Sequence, residues 1–522
     1  MLALRILRAT TKLSPTGRSV VVARRGQKMQ QTSHQQAMLA MLDRAPMGWP
    51  HYWIFLLSTG GTMLGGVSVF TLGVALPLLI QSFAIDATMQ GLLGAALLAG
   101  AVPGAALGGA LADRFGRKPL MLIDAAVMIA GGLVATFATD PAMLALGLFI
   151  FGVGVGIDYP VSSSYVAEWM PAAARSRVMV ATITFQAVGF MLVAALTATI
   201  LAVVDSATAW RGFMATLVGL PVLFLLGRLF MQESPRWLMG KGRNRDAASA
   251  IGAVIAADRA QLAALGDGAA DAVHLVAKAP EAVKTLGAAA LFGKAYRKRT
   301  ALACLPWFLM DIASYGIGLF TPMLLADLHF SSTRSGVVAV DFSEIGGTSL
   351  IDIFLVIGFL AAFWLIPRYG HLRPQVWGFL GMTFGMLALV GAMWLGDPLH
   401  PAVAVIFAGF VLFNLAMNAG PHSTTFALPA ELFPTQLRGA GSGFASASAK
   451  VGAALGAFVL PVIKAEYGLS AVLLLVAAVS LAGALITALL VEELGGAASL
   501  EDRHAEDKDA PPAGVPAAVR SA

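Results

Sequence analysis

The sequence specifies an all-α polytopic membrane protein, with about twelve transmembrane helices arranged as two pseudo-symmetric six-helix bundles. Three observations carry that expectation. Of 522 residues, 58% are hydrophobic and only 12% charged, against about 25% charged in a soluble domain. The apolar residues fall in runs of about 20, the length that crosses a bilayer core of roughly 30 Å. The charges between the runs alternate in sign from loop to loop, the pattern that fixes membrane topology.

Taken in order, span 1 is expected at 52–81 and span 2 at 88–112, with Asp86 between them. The basic turn Arg114, Arg117, Lys118 leads into span 3 at 119–138, and Asp140 leads into span 4 at 141–167. Arg175 and Arg177 precede span 5 at 179–203, Asp205 follows it, and span 6 at 210–231 ends in a second basic stretch from Arg236 to Arg245. The second half repeats the scheme with spans at 300–326, 348–366, 375–395, 401–428, 439–463 and 468–492. There Arg368, Arg373 and Arg438 mark one side, and Asp327, Asp341, Glu344, Asp352 and Asp397 mark the other. Lys and Arg concentrate on the cytoplasmic side. Both termini are therefore expected in the cytoplasm, with the protein in the plasma (inner) membrane.

The domain organisation follows. Residues 1–51 form a basic cytoplasmic tail, 52–231 the first six-helix bundle, 232–299 a polar, alanine-rich cytoplasmic loop with helix-forming runs, 300–492 the second bundle, and 493–522 a disordered tail. The first 42 residues hold no acid and no h-region with a cleavage site, so a secretory signal is disfavoured. They read as a basic tail or as sequence ahead of the true start. The net charge of +6 is spread over alternate loops, which points to topology and not to nucleic acid. The single Cys304 excludes an internal disulfide and any cysteine-based metal cluster. Gly240-Lys241 and Gly293-Lys294 lack the Ser or Thr that completes a phosphate loop. No nucleotide, metal or other cofactor is implied, and an enzyme is not expected.

The two halves echo each other. Glu168 and Arg175 are seven residues apart, as are Glu431 and Arg438, at an offset of 263. A weaker echo joins Leu111 to Arg117 with Leu365 to His371. Internal symmetry of this kind places a transporter's substrate site between the repeats, near the midplane.

One intramembrane charge stands out. Asp311 lies in span 7, four residues after Trp307 and four before Tyr315, so all three share a helix face. An ionisable group at that depth is expensive and marks function. Counting about 1.5 Å per residue from the nearest loop charge, Asp158, Gln186, Asp311, His422 and Lys450 all lie about 14–18 Å deep. The repeat offset pairs Tyr159 with His422 on facing helices.

The stretch Gly109-Ala110-Leu111-Ala112-Asp113-Arg114-Phe115-Gly116-Arg117-Lys118 resembles the signature loop of the major facilitator superfamily. Glu233-Ser234-Pro235-Arg236-Trp237-Leu238 looks like the motif that ends the first half of sugar-porter-like members. The resemblance covers roughly residues 50 to 495. Within the superfamily, the phosphate:proton symporter family is the most similar. That rests on Gly156-Ile157-Asp158-Tyr159-Pro160, on Gln186, on Trp307 with Asp311 and Tyr315, and on Gly420-Pro421-His422 with Lys450. The chain departs from that family twice. His422 stands where an Asn is typical, and Gly65 and Ser68 replace the acids of span 1.

The resemblance implies a secondary active transporter with alternating access, proton symport and a small anion, phosphate first, as substrate. Tyr159, Gln186, Trp307, Tyr315, His422 and Lys450 would bind the solute, and Asp311 and Asp158 would carry protons. Gly109, Asp113, Arg114, Gly116, Arg117, Glu168, Arg175, Glu233, Arg236, Glu431 and Arg438 would form the gating motifs. His422 is also a candidate second proton site. A sugar, polyol or organic-acid carrier stays open, as does a nutrient sensor that binds without transport. Other readings of single residues remain: a static Asp311–Lys450 ion pair, and Asp158 as a helix-packing hydrogen-bond former. The expected partners are a small solute, protons and the lipid bilayer, with no nucleic acid, for a monomeric protein.

Overall fold

Punctuation by single residues sets the start of the apolar helices. The computed structural model describes residues 34–204, 206–255, 258–274, 288–327, 337–395, 403–433 and 435–493. A short helix α1 at 34–44 precedes six long ones: α2 (Trp49–Phe83), α3 (Ala87–Phe115), α4 (Arg117–Thr136), α5 (Pro141–Trp169), α6 (Ala172–Val203) and α7 (Trp210–Leu229). Asp86 accepts from the Met89 amide at 2.8 Å and Asp140 from the Met143 amide at 2.9 Å. Each carboxylate therefore satisfies one of the orphan donors at a helix N-terminus. These acids on the non-basic side are helix caps as well as topology signals. Asp140→Ala is expected to cost about 1 kcal/mol of stability, read as a lowered melting temperature in detergent with transport unchanged.

Three shorter helices follow, α8 (Pro235–Gly240), α9 (Asn244–Val254) and α10 (Arg259–His274), then α11 (Arg297–Asp327), α12 (Val337–Tyr369), α13 (Leu372–Leu395), α14 (Val403–Ala419), α15 (Pro421–Leu432), α16 (Thr435–Tyr467) and α17 (Leu469–Glu493). Eleven helical spans among the described residues are long and apolar enough to cross a membrane. One of them, Val405–Pro429, runs across the α14–α15 break. A twelfth apolar segment, Ile353–Tyr369, is shorter over its described part. The protein is an all-α, multi-pass integral membrane protein.

Two expectations change here. Residues 34–44 are not a loose tail. Met38 and Leu42, four apart on one helix face, are fully buried in a cluster with Leu238, Met239, Ala247 and Ile251 of the central helices. Burying two such side chains stabilises the docking by roughly 1.5–3 kcal/mol each. Gln35 adds a 2.8 Å hydrogen bond to Asn244. The helix-forming runs of the central segment are the helices α8, α9 and α10, and they carry the surface on which α1 docks. Span 5 starts seven residues earlier than expected, because Ala172 to Val178 is helical but its two arginines depress the hydropathy. Most of the N-terminal tail, residues 275–287 and the C-terminal tail lie outside the described residues.

Helix packing is close where glycines line up. A Cβ on Gly100, Gly104 or Gly108 of α3 would come within 2.1, 2.3 and 2.9 Å of carbonyl oxygens of α5. That four-residue stripe lets the two backbones touch. Gly109, named as a motif residue, is not part of it: a Cβ there would meet nothing nearer than 3.8 Å.

Candidate functional site

Helix α11 supplies the centre of the site. Its four-residue spacing sets Asp311 beside Tyr315, and both face Lys450 of α16. Lys450 Nζ donates to Asp311 Oδ2 at 3.1 Å and to the Tyr315 hydroxyl at 2.9 Å. The ammonium also lies over two rings, 4.4 Å from the Tyr315 centroid and 5.1 Å from that of Tyr159. Those ring faces are electron-rich and attract the cation. Gln186 of α6 closes the group. Its amide nitrogen donates to the Tyr315 hydroxyl at 3.4 Å, and its oxygen accepts from the Tyr159 hydroxyl at 3.5 Å. Five residues from four helices and both halves thus converge on one ion pair, all of them buried.

Two voids flank this group. A cavity of about 910 Å³ opens toward the basic loops, lined at its inner end by Tyr159 and Trp307 and at its mouth by Arg175, Arg177 and His371. Among the described residues that line it, none is an acid. Trp307 packs edge-on against Phe426, with centroids 6.2 Å apart. On the other side of Gln186 and Tyr315 lies a void of only about 40 Å³. His422, Asn414, Phe190 and Phe413 help line it. The His422 ring packs against Phe359 with centroids 5.4 Å apart and planes tilted by 50°, and its Nδ1 is 2.9 Å from Asn418 Oδ1. Tyr159 and His422 therefore stand on opposite sides of the Gln186–Tyr315 contact, one on each void. Span 1 contributes no charge: Ser68 donates to its own helix, to the Gly65 carbonyl at 2.9 Å. A Cβ at Gly65 would lie 3.6 Å from the Tyr159 hydroxyl, so the missing acids leave Asp311 as the carboxylate of the centre.

Asp158 is the main correction. It is buried at the expected depth but does not face Lys450. Neighbouring residues on a helix point about 100° apart, so Tyr159 takes the central direction and Asp158 turns into the first half. There it pairs with Arg228 of α7 at 2.6 Å, and Arg228 also holds Asp124 of α4 at 2.6 Å.

The motif residues gather on the basic side. Arg117 donates to Asp113 and to Glu168, each at 2.9 Å. Glu233 accepts from the backbone amides of Arg117 at 3.0 Å and Ser234 at 2.7 Å. Gly116 sits between with φ +107, and a Cβ there would be 2.3 Å from Glu233 Oε2, so glycine's freedom at positive φ makes this turn possible. Arg175 and Arg236 share Asp43 of α1, at 2.5 and 2.8 Å. Arg114 stacks on the exposed Phe115 ring at 5.2 Å. The side chains of Glu431 and Arg438 lie outside those described. Asp124, Arg228, Asp43, Asn414 and Asn418 are the polar residues that sequence reasoning missed. Asp124 and Arg228 carried a usable signal, since each is an ionisable residue inside an apolar run. Among the described residues, no group of three or more His, Cys, Asp or Glu is placed to hold a metal ion.

The arrangement is that of a neutral ion pair ringed by uncharged donors, between an open cavity and a closed one. Comparisons with known proteins identify the family. The chain is 26% identical to the putative metabolite transport protein YaaU of Escherichia coli (strain K12), over 85% of this chain and 93% of that protein. It is 27% identical to the probable inorganic phosphate transporter 1-12 of Oryza sativa subsp. japonica, over 94% of this chain and 99% of that one. The fold matches the partially occluded, inward-open xylose transporter XylE from E. coli with a TM-score of 0.68 at 18% identity, covering 86% of this chain and all of that one. The profile of the family described as sugar (and other) transporter matches residues 23–501. The chain is a member of that family, a sugar-porter-type transporter of the major facilitator superfamily, embedded in the membrane and acting on a small solute.

Proposed function

We propose that the protein is a proton-coupled transporter of a small oxyanion, with inorganic phosphate as the first candidate. It works as a monomer, by alternating access between residues 52–231 and 300–492. It resides in the plasma (inner) membrane with the basic loops and both termini in the cytoplasm. The observation that carries this reading is the Lys450–Asp311 pair behind a cavity with arginines at its mouth and no acid among its described lining residues. Such a cavity raises the local concentration of anions. At its inner end an anion meets Tyr159 directly, with Gln186, Tyr315 and Lys450 just behind.

The charges then set the coupling. With Asp311 ionised, Lys450 is already neutralised, and an added anion would leave a buried net negative charge, which is costly. A proton on Asp311 frees the ammonium, and the anion replaces the carboxylate as its partner. Tyr315, Tyr159 and Gln186 supply neutral hydrogen bonds to the oxyanion. Release of the anion returns Lys450 to Asp311, which expels the proton. One proton thus travels with each negative charge. His422 lines the far void and would meet the solute when that side opens. Its role as a second proton site would show as a pH profile of binding altered in His422→Asn.

A second reading has its own support. Trp307 and the amides of Gln186 and Asn414 suit a sugar or polyol, which binds through neutral hydrogen bonds on an aromatic platform. Uptake of labelled phosphate into proteoliposomes under an inward proton gradient decides between them. Gradient-dependent uptake supports the oxyanion reading. Folded protein that ignores phosphate but takes up a sugar or polyol rejects it.

A further inference from the structure

The Arg228 cluster is isolated from the transport site: none of its three residues lines the cavity. Arg228, Asp124 and Asp158 each have zero exposure. Four of the five guanidinium N–H donors are engaged: Nε on the Leu57 carbonyl at 3.0 Å, and Nη1 on the Met121 carbonyl at 2.9 Å and on Asp124 Oδ1. Nη2 holds Asp158 Oδ1 at 2.6 Å. One cation therefore faces two carboxyl groups. The second oxygens of both, Asp124 Oδ2 and Asp158 Oδ2, have no hydrogen-bond donor among the described residues, and the two carboxyls are held by the adjacent Nη1 and Nη2 of one guanidinium. Gly61 of α2 packs on this spot so closely that a Cβ would fall 1.8 Å from the Asp158 carboxyl carbon, so the site is walled off on that side.

Two ionised carboxylates in that geometry would be two acceptors side by side on one cation, with one net negative charge in a dry interior. Both conditions are expensive. Among the described residues of α2 to α7, no further cation is placed to offset that charge. Apart from these three residues, the charged residues of α2 to α7 are Asp113 and Arg114 on α3, Arg117 and Lys118 on α4, Glu168 on α5, Arg175 and Arg177 on α6, and Arg211 on α7. All stand in the first or last two turns of their helices, and Arg117 and Lys118 are engaged with Glu168 and with the Leu229 carbonyl. His51, near the start of α2, accepts from the Gly48 amide.

We propose that this cluster binds one proton, shared between Asp124 and Asp158. The proton forms an O–H bond at one Oδ2 and donates to the other, the guanidinium stays charged, and the assembly is neutral. Each orphan oxygen gains a partner. The bound proton pins α2, α4, α5 and α7 together, which makes the first half move as a unit. It is distinct from the coupling proton assigned above to Asp311, and it does not depend on what the protein transports.

Infrared spectroscopy of the purified full-length protein, labelled with 13C-aspartate at neutral pH, tests this directly. The expected result is a protonated-carboxyl band worth one aspartic acid per molecule. Asp311→Asn keeps that band, and both Asp124→Asn and Asp158→Asn lose it. A wild-type spectrum in which every protonated aspartate band disappears with Asp311→Asn overturns the proposal, with or without foldable triad variants. Thermal unfolding gives a second reading. Asp124→Asn replaces the shared proton by an amide N–H and should melt near the wild-type temperature. A clear rise in its melting temperature would mean that two charged carboxylates had been repelling each other, and would also overturn the proposal.

Discussion

Asp311→Asn is expected to lower proton-driven phosphate uptake into proteoliposomes by about a hundredfold or more, while phosphate exchange without a gradient persists. The substitution keeps the shape of the side chain and removes its charge. Lys450, buried and bonded to Asp311 and Tyr315, is left as an uncompensated cation. Breaking such a buried pair costs about 3–5 kcal/mol, and each 1.4 kcal/mol is about a factor of ten. The empty carrier is destabilised by that amount and the anion-loaded carrier is not. Phosphate should bind more tightly, leave slowly, and no longer respond to the proton gradient. The double variant Asp311→Asn/Lys450→Gln separates this from a merely structural role. It removes both charges, so it should fold and melt near the wild-type temperature but neither bind nor move phosphate. Recovered uptake in the double variant would show that the pair is a static ion pair, and the coupling role would fall.

Depth along a helix was legible in the sequence, and direction only partly. Asp311, Tyr315 and Trp307 share a face because they are four residues apart, and that spacing survives in the structure. Lys450 and Gln186 were found by the family resemblance and matched by depth, and the structure brings Lys450 to Asp311 and both to Tyr315. Depth failed for Asp158 because it reports height in the membrane and nothing about which way a side chain turns. Tyr159 is next to it, and one helix cannot aim both at the same point. Arg228 carried the signal of an ionisable residue inside an apolar run, but near the end of a span that signal also fits a loop charge. Its partners, Asp124 and Asp158 on two other helices, establish it as an interior group. Helix α1 was missed for a different reason. Its apolar run, Ala37 to Leu42, is only six residues long and follows a polar, basic tail. What buries its Met38 and Leu42 is a surface on the central helices, more than 190 residues away in sequence. The multi-span fold class and the family were legible because membrane length and motif chemistry are local. The conformation was not, since no local pattern says which end of the bundle is shut.

That shut end supplies the other large expected effect. Gly91 stands one turn into α3, on the side of Asp86 and away from the basic loops, and its neighbour is the backbone of α16. A Cβ at Gly91 would lie 2.5 Å from the Phe458 carbonyl oxygen, nearer than carbon and oxygen can approach. A glycine is therefore required for the halves to meet there. Gly91→Trp should prevent that contact and leave the protein open on the Asp86 side, with the cavity on the basic side unable to form. Each half keeps its own packing, so folding should survive, but a carrier held in one state completes no cycle. Uptake should fall at least tenfold, on the order of what a clash worth more than 1.4 kcal/mol against the closed state imposes. A cysteine replacing Asn414, which lines the small void beyond Gln186 and Tyr315, reports the state. In Gly91→Trp it should react with a membrane-impermeant thiol reagent supplied on the Asp86 side, whereas without that substitution its reaction should be slow. Unchanged reactivity together with normal uptake would show that α3 and α16 do not form the outer seal. Lost uptake with unchanged reactivity would place the defect in folding, and Gly91→Ala, a smaller insult at the same contact, should then still bias the protein toward the open state on that side.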